Sequence, residues 1–498
     1  MRLEQKLREE IDKRGITKEM LAHQMLAFVK GTPTIKLDRI ATLGDGIIEI
    51  NSYDRSKFMN IYNLKQQEVS IVKFTPASGL ASRMFKGLSE FYNTKTNNPM
   101  SQYFFNNLHK FPFYKDVIIE FHKLYPSIKK LDNLTNKLLF LSFILSDVDN
   151  GLNYQKTPKG LIKFHQYDID NKSALEEQID EGFYYAICKN QTVNIHFTVS
   201  PDFVKKFQKK AQDYIKNNYS DSGVTFNISY SIQKPSTDTI ALNYDNTPFK
   251  DENGNYLFRA GGHGALIENL NELDADVIFI KNIDNVSHQN HMEETIKYKQ
   301  VLAGKLLFLQ EKIFHYLTLL KSNSKNLDVQ EVRYFIMENF FISFDDSCDT
   351  DCLIDFLNRP IRVCGMIKNQ GDAGGGPFWI SNTEGGVSLQ IIESAQVDKT
   401  NKEQLGVMHQ ATHFNPVDIV CSVRDFEGNK FDLTKYVNHD AVFITDKTVN
   451  GIKVKGLELP GLWNGAMHDW LSVFVEVPIE TFNPVKTVTD LLSPMHQA

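Results

Sequence analysis

The run Val69-Ser70-Ile71-Val72-Lys73-Phe74 reads as a buried strand, and it passes directly into Thr75-Pro76-Ala77-Ser78-Gly79-Leu80-Ala81-Ser82-Arg83-Met84-Phe85-Lys86. A β-prone run, then small residues, then Arg and Lys at the start of a helical pattern is the signature of a sharp strand–turn–helix. The same alternation recurs along the chain. Residues 183–188 and 193–199 read as strands, and Ser200-Pro201-Asp202 opens a helix to about residue 217. Residues 226–232 and the wholly apolar Val277-Ile278-Phe279-Ile280 read as further strands, while 100–148 and 292–340 carry helical patterns. Strands alternating with helices predict an α/β fold with a parallel or mixed sheet.

At the N-terminus, Leu3, Leu7 and Ile11 form one helical stripe, and Met20, Leu21, Met25, Leu26 and Phe28 form another. Gly15 breaks the first and Thr17 is placed to cap the second. Gly44-Asp45-Gly46 reads as a turn into Ile47–Ile50. Beyond residue 360 the chain becomes strand- and Gly-rich, with Gly374-Gly375-Gly376-Pro377 as its loosest point. A chain of 498 residues has length for roughly three average domains. It shows no repeat, low-complexity tract or Pro/Ser-rich linker, so one continuous catalytic unit is expected. Residues 1–65 form an N-terminal helical arm in this reading, and 66–490 form the core, with helical insertions near 95–150 and 292–355.

The formal net charge is −6, from 55 basic and 61 acidic residues. That argues against a nucleic-acid partner, which needs a basic face, but leaves room for a local basic pocket around a small phosphorylated ligand. Five Cys is few and odd, so reduced thiols in a cytoplasmic protein are expected rather than a disulfide framework. No signal-peptide segment and no run of 18 apolar residues is present, so no membrane partner is expected.

In the turn at 75–86, the small residues Ala77, Ser78 and Gly79 would let backbone N–H groups approach a polyphosphate, and the helix start adds partial positive charge. Arg83 would supply a two-pronged donor and Lys86 a point charge. A solvated face with Arg and Lys at its edge gives the same pattern, so this segment alone leaves both readings open. The segment is neither a Walker loop nor a dinucleotide fingerprint.

Ala77-Ser78-Gly79-Leu80-Ala81-Ser82-Arg83-Met84 resembles the Gly-x-Gly-Thr-Arg-Met signature of sugar-nucleotide pyrophosphorylases. Other segments fall in the order seen in the UDP-sugar pyrophosphorylase group, particularly the UDP-N-acetylhexosamine pyrophosphorylases. Ile35–Leu37 to Ala41–Gly46 resembles the arm before the signature, and Ile195–Ser200 the strand leading to a helix. Gly261-Gly262-His263-Gly264-Ala265-Leu266 resembles the Gly-Asn-Gly-Gly nucleotide- and sugar-facing loop, and Phe482-Asn483-Pro484-Val485-Lys486 the Phe-Ser-Pro-Leu-Lys near the C-terminus. The chain also resembles a bacterial family of uncharacterised proteins, a domain of unknown function, with this same turn. The resemblance is patchy but collinear from about residue 35 to 490. It departs at Ala81 and Ser82, which stand for the second Gly and the Thr, and no Pro-Lys pair follows shortly after the turn.

The resemblance implies a Rossmann-like nucleotidyltransferase fold (GT-A-like), a mixed sheet flanked by helices with helical insertions. It implies Mg²⁺-dependent nucleotidyl transfer from a nucleoside triphosphate to a sugar 1-phosphate, with release of pyrophosphate. Such chemistry needs positioning and charge neutralisation more than a strong base. Arg83 and Lys86 would hold the triphosphate, and Lys486 would face a substrate phosphate. Asp284, in the Asn-Ile-Asp-Asn that ends the strand at 277–280, would take the metal, since ligands gather at strand C-termini in open α/β sheets. Gly262, His263 and Gly264 would pass close to nucleotide and sugar, Gln233 would read the base and Glu393 the sugar hydroxyls. Two alternatives stay open: a non-catalytic nucleotide or sugar-phosphate binder on the same fold, and a phosphotransferase.

Three patterns are discounted. Cys348 and Cys352, beside Asp345 and Asp346, lack the second ligand pair of a zinc site and the spacing of a calcium loop, so a solvated helix start is the better reading. His288 and His291 lack a metalloprotease Glu and read as surface residues. The apolar stripe in 296–320 reads as core or as a partner-helix contact.

Overall fold

Gly15 closes the helix Gln5–Arg14 in the left-handed region at φ 75°, and Thr17 accepts the Met20 N–H to open the helix Lys18–Lys30, as predicted. The computed structural model describes residues 4–32, 34–322, 327–344, 347–371, 375–381, 386–449 and 451–498. The chain divides into two compact units. The first takes residues 1–65, 231–280 and 300–477, the second residues 66–230, 281–299 and 478–498. The arm expected over 1–65 therefore belongs with two later stretches of the chain.

In the first unit the main sheet runs Thr42–Leu43, Gly46–Ile48, Leu471–Glu476, Ile361–Lys368, His413–Ser422 and Val277–Lys281. Ile361–Lys368 lies parallel to Leu471–Glu476 and antiparallel to His413–Ser422, which makes the sheet mixed. Seven of its eight residues are buried, as in a strand covered on both faces. A smaller antiparallel sheet joins Leu37–Ile40, Gly375–Ser381 and Val387–Glu393. The expected loose point at 374–377 is thus, from Gly375 on, a paired and buried strand, while Gly374 lies outside the described residues. Packing there is tight: a Cβ on Gly376 would stand 3.0 Å from the His413 carbonyl oxygen. Val301, Leu302, Leu306, Leu309, Ile313 and Leu317 of helix Glu293–Lys321 are buried, so the stripe there is core.

In the second unit Ile71–Pro76 pairs in parallel with Thr192–Thr198, Phe74 opposite His196 and Pro76 opposite Thr198. Ile187–Cys188 and Thr225–Ser231 pair with Thr192–Thr198 in the same unit. Helices Lys86–Thr94, Pro99–Asn106, Tyr114–Leu124 and Leu134–Leu145 enclose a core rich in Phe85, Phe104, Phe121 and Phe140.

Phe183-Tyr184-Tyr185, read above as strand, end the helix Ala174–Tyr185, and only Ile187–Cys188 pairs. Ser173 and Glu176 form a capping box that starts this helix nine residues earlier, and the buried Leu175 and Ile179 hold it, so local β-preference yields. Cys348 and Cys352 are disulfide-bonded, against the expectation of reduced thiols throughout. Asp349 caps the helix Thr350–Leu357 by accepting the Cys352 N–H, and that first turn brings the two sulfurs together. Cys188, Cys364 and Cys421 are free and buried. Asp345 and Asp346 lie outside the described residues. Among the described residues no helix is long and apolar enough to cross a membrane.

Candidate functional site

Pro76 ends its strand, having no N–H to extend the ladder, and the chain turns. Some residues of the turn are anchored and the others presented. Ala77, Ala81, Met84 and Phe85 are buried, whereas Ser78, Gly79, Leu80, Ser82 and Arg83 are exposed. The Ala77 N–H donates to the Thr198 carbonyl at 2.8 Å and the Ala81 N–H to that of Thr157 at 2.9 Å. The N–H groups of the five exposed residues donate no hydrogen bond among the described residues. Lys86 then begins the helix Lys86–Thr94. A row of unclaimed N–H groups running into a helix start is an anion-binding surface.

Of the three small residues assigned to phosphate contact, Ser78 and Gly79 keep free N–H groups and Ala77 does not. The departure at Ala81 falls on the buried side of the turn, with its N–H already used, and Ser82 keeps an exposed side chain. A Cβ on Gly79 would meet nothing within 4 Å, and its φ is not positive, so the fold does not require glycine there. The Arg83 guanidinium has no hydrogen bond or ion pair among the described residues. Lys86 Nζ is 3.8 Å from Glu90 Oε1, with both side chains well exposed.

The residue that sequence reasoning missed is Lys159. Its backbone N–H donates to the Gly79 carbonyl at 3.1 Å, and Leu80 forms a bridge with Pro158. Its Nζ reaches Asp284 Oδ2 at 2.6 Å and the Val485 carbonyl at 2.5 Å. Pro158 and Lys159, more than seventy residues further along the chain, thus lie against the turn. Asp284 is half-buried, and its Oδ1 has no partner among the described residues. The Val485 N–H donates to the Asp284 carbonyl at 3.1 Å and the Val488 N–H to that of Met84 at 3.0 Å, which places the segment of Lys486 beside Asp284 and the turn. Lys486 itself is exposed, with Nζ 5.6 Å from the Phe482 ring centre.

A buried charge network underlies these segments. Glu181 holds Lys281 Nζ at 2.7 Å and Lys73 Nζ at 3.1 Å, all three groups essentially fully buried. Lys73 precedes the turn by four residues and Lys281 precedes Asp284 by three. One helical turn before Glu181, Gln178 Nε2 donates to the Asn282 and Ile283 carbonyls, while its own carbonyl accepts from Lys73 Nζ. Burial, together with the Lys281 charge, pushes Lys73 down to about 7 despite Glu181. Against the cost of its own burial, Lys281 and Lys73 bring the Glu181 carboxyl to about 2.

His288 is not a surface residue: it is 2% exposed and stacks on Tyr167 with ring centres 4.4 Å apart. His165 Nδ1 lies 2.8 Å from Glu177 Oε1 and its Nε2 2.7 Å from His496 Nδ1, all within the buried interior.

The remaining predicted residues belong to the first unit. Gly262 has φ 80°, and a Cβ on Gly264 would stand 1.9 Å from the Pro460 carbonyl, so this loop does require glycine. His263 stacks on Trp463 at 4.2 Å and accepts the Leu462 N–H at Nδ1, which directs its Nε2 proton toward Glu393 Oε1, 4.0 Å away. Trp463 had no sequence signal. Gln233 Nε2 is buried without a partner in the same unit. The predicted residues therefore divide: Ala77, Ser78, Gly79, Arg83, Lys86, Asp284 and Lys486 in the second unit, Gln233, Gly262, His263, Gly264 and Glu393 in the first.

The chain belongs to the family described as Domain of unknown function (DUF4301), whose model matches residues 4–497. No curated protein matches it. Among solved structures it is similar to UDP-N-acetylglucosamine pyrophosphorylase from Trypanosoma brucei, at 11% identity and TM-score 0.49 over 96% of this chain and 75% of that one. A UDP-glucose phosphorylase from Trypanosoma brucei gives 14% and 0.47 over 97% and 77%, and UDP-glucose pyrophosphorylase from Leishmania major 14% and 0.46 over 99% and 79%. Overlaps this loose assign no substrate and no residue.

Proposed function

We propose that this member of the DUF4301 family is a nucleotidyltransferase, which joins a nucleoside triphosphate to a sugar 1-phosphate and releases pyrophosphate. One observation carries the reading: five exposed residues of the turn at 78–83 hold unclaimed N–H groups, and Lys159, whose backbone is bonded to Gly79, holds Asp284 by its Nζ. The cradle would take triphosphate oxygens, and the free Arg83 guanidinium would neutralise charge that develops on them. Lys159 is held by a carboxylate and a carbonyl, so its ammonium keeps one orientation and spends no entropy on reaching a phosphate. Lys486 and Lys86 are the more exposed cations at the rim.

Mg²⁺ fits this inventory. Among the described residues no group of three or more His, Cys, Asp or Glu is arranged to hold a metal. Mg²⁺ bound to a triphosphate needs only one or two protein carboxylates. Asp284, through its unengaged Oδ1, would be such a ligand; the ion would screen phosphate charge.

The test is pyrophosphate release by the intact protein with Mg²⁺, each nucleoside triphosphate and a panel of sugar 1-phosphates. Release that requires one particular pair, and is lost in Arg83→Ala, supports the proposal. Release of a nucleoside diphosphate instead, or tight nucleotide binding with no turnover on any pair, would replace it with the phosphotransferase or the binding-protein reading.

A further inference from the structure

In the first unit two lysines share two aromatic rings. Lys57 Nζ stands 4.3 Å from the Phe308 ring centre and 5.5 Å from that of Phe58; Lys305 Nζ stands 5.8 and 5.3 Å from the same two. Gly304 sets this geometry. A Cβ there would stand 1.9 Å from the Phe58 carbonyl oxygen, so the helix backbone at 304 lies directly against Phe58, and Lys305 follows it.

Lys305 is 6% exposed, and its ammonium has one hydrogen-bond acceptor, Asn339 Oδ1 at 2.8 Å. Among the described residues neither lysine has a carboxylate within 4.0 Å. A buried ammonium with no carboxylate in contact is costly even with Asp54 and Glu338 nearby, and a second ammonium over the same rings adds to the cost. Burial, then the Lys57 charge, push Lys305 down to about 8.

Both lysines open on one cleft of about 380 Å³, with Phe308, Tyr316 and Phe335 in its wall. Three of its carboxylates are engaged, Glu331 by the Tyr316 hydroxyl at 2.8 Å, Glu338 by the Tyr334 hydroxyl at 2.5 Å and Asp54 by the Asn51 side-chain amide at 2.8 Å. Glu49 and Lys312 also line it. The site thus combines a cationic spot with no carboxylate in contact, aromatic walls, and acidic groups that disfavour a doubly charged ligand.

We propose that this cleft binds a small monocarboxylate with an apolar body, its carboxylate bridging Lys57 and Lys305. This is independent of the nucleotidyltransferase reading. The probe is benzoate, added to the intact protein during acetylation by an N-hydroxysuccinimide ester, with each lysine followed by peptide mass spectrometry. At ten times its dissociation constant, benzoate slows acetylation of Lys57 and Lys305 about tenfold and leaves the exposed Lys123 unchanged. Inorganic phosphate at the same concentration does not slow it. Lys305→Met raises the Tm of the free protein, by removing the unpaired charge, and abolishes the Tm rise that benzoate gives. No slowing at Lys57 and Lys305 at any benzoate concentration overturns the proposal. So does equal slowing by phosphate, or a benzoate-induced Tm rise that survives in Lys305→Met.

Discussion

Lys159 Nζ lies 2.6 Å from Asp284 Oδ2 and 2.5 Å from the Val485 carbonyl, so a single ammonium joins three distant segments beside the turn at 78–83. If this ammonium serves the reacting phosphates, Lys159→Met lowers pyrophosphate release about 100-fold, the scale of one lost transition-state donor. Asp284→Asn raises the Mg²⁺ concentration for half-maximal release about tenfold, the scale of about 1.4 kcal/mol in metal binding. Steady-state rates against Mg²⁺ concentration separate the two effects.

The two glycine loops respond differently to the same substitution. Gly79→Ala leaves unfolding free energy within about 0.5 kcal/mol of the parent, because its Cβ enters open space, yet it weakens nucleotide binding. Gly264→Ala drives a Cβ into the Pro460 carbonyl and costs about 1–3 kcal/mol or more. Urea denaturation and nucleotide titration of both variants check this.

The Glu181 network predicts an asymmetry. Glu181→Gln leaves Lys73 and Lys281 buried without their carboxylate and destabilises by about 3–5 kcal/mol. Lys73→Met removes a cation already pushed down to about 7 and costs far less. With pH the signs follow from linkage. Lys73 is less protonated in the folded than in the unfolded chain between about 7 and 10.5, so its penalty fades as pH rises through that window. Glu181 contributes stability at neutral pH that is lost as pH falls from 4.5 toward about 2. Thermal melts across pH, on the parent and both variants, read these windows.

Burial brings His165 and His496 each to about 3. Unfolding lets both take up protons below 6.5, so stability falls between pH 6.5 and about 3, at up to about 1.4 kcal/mol per pH unit for each imidazole. Glu177, raised by burial, works the opposite way, since its buried carboxyl is easier to hold once protonated. His496→Asn makes the acid limb of the stability curve shallower, which denaturation at pH 4 and pH 7 measures.

The strand at 71–76, its turn and the two helices at the start of the chain are legible because their signals are local: a Pro, a cap, a β-branched run. Phe183–Tyr185 were misread because aromatic residues suit strands, while the cap that makes them helical lies at Ser173. Lys159 was illegible for a different reason. Nothing at 158–159 marks a site until the fold sets Pro158 against Leu80. Position in a strand–turn–helix and at a strand end singles out Arg83 and Asp284 as candidates only. His288 and Cys348 were misjudged because burial and pairing depend on partners far away or on the pitch of one helical turn.

Hydrogen exchange of the intact protein with Mg²⁺ and each nucleoside triphosphate, followed in peptides covering 77–86, tests the phosphate cradle most directly. The unclaimed N–H groups of Ser78, Gly79, Leu80, Ser82 and Arg83 exchange fast in the free protein and slow markedly when the matching nucleotide binds. Arg83→Ala and Lys159→Met weaken that protection. Nucleotide binding that leaves exchange in 78–83 unchanged would contradict the assignment of this turn as the phosphate site.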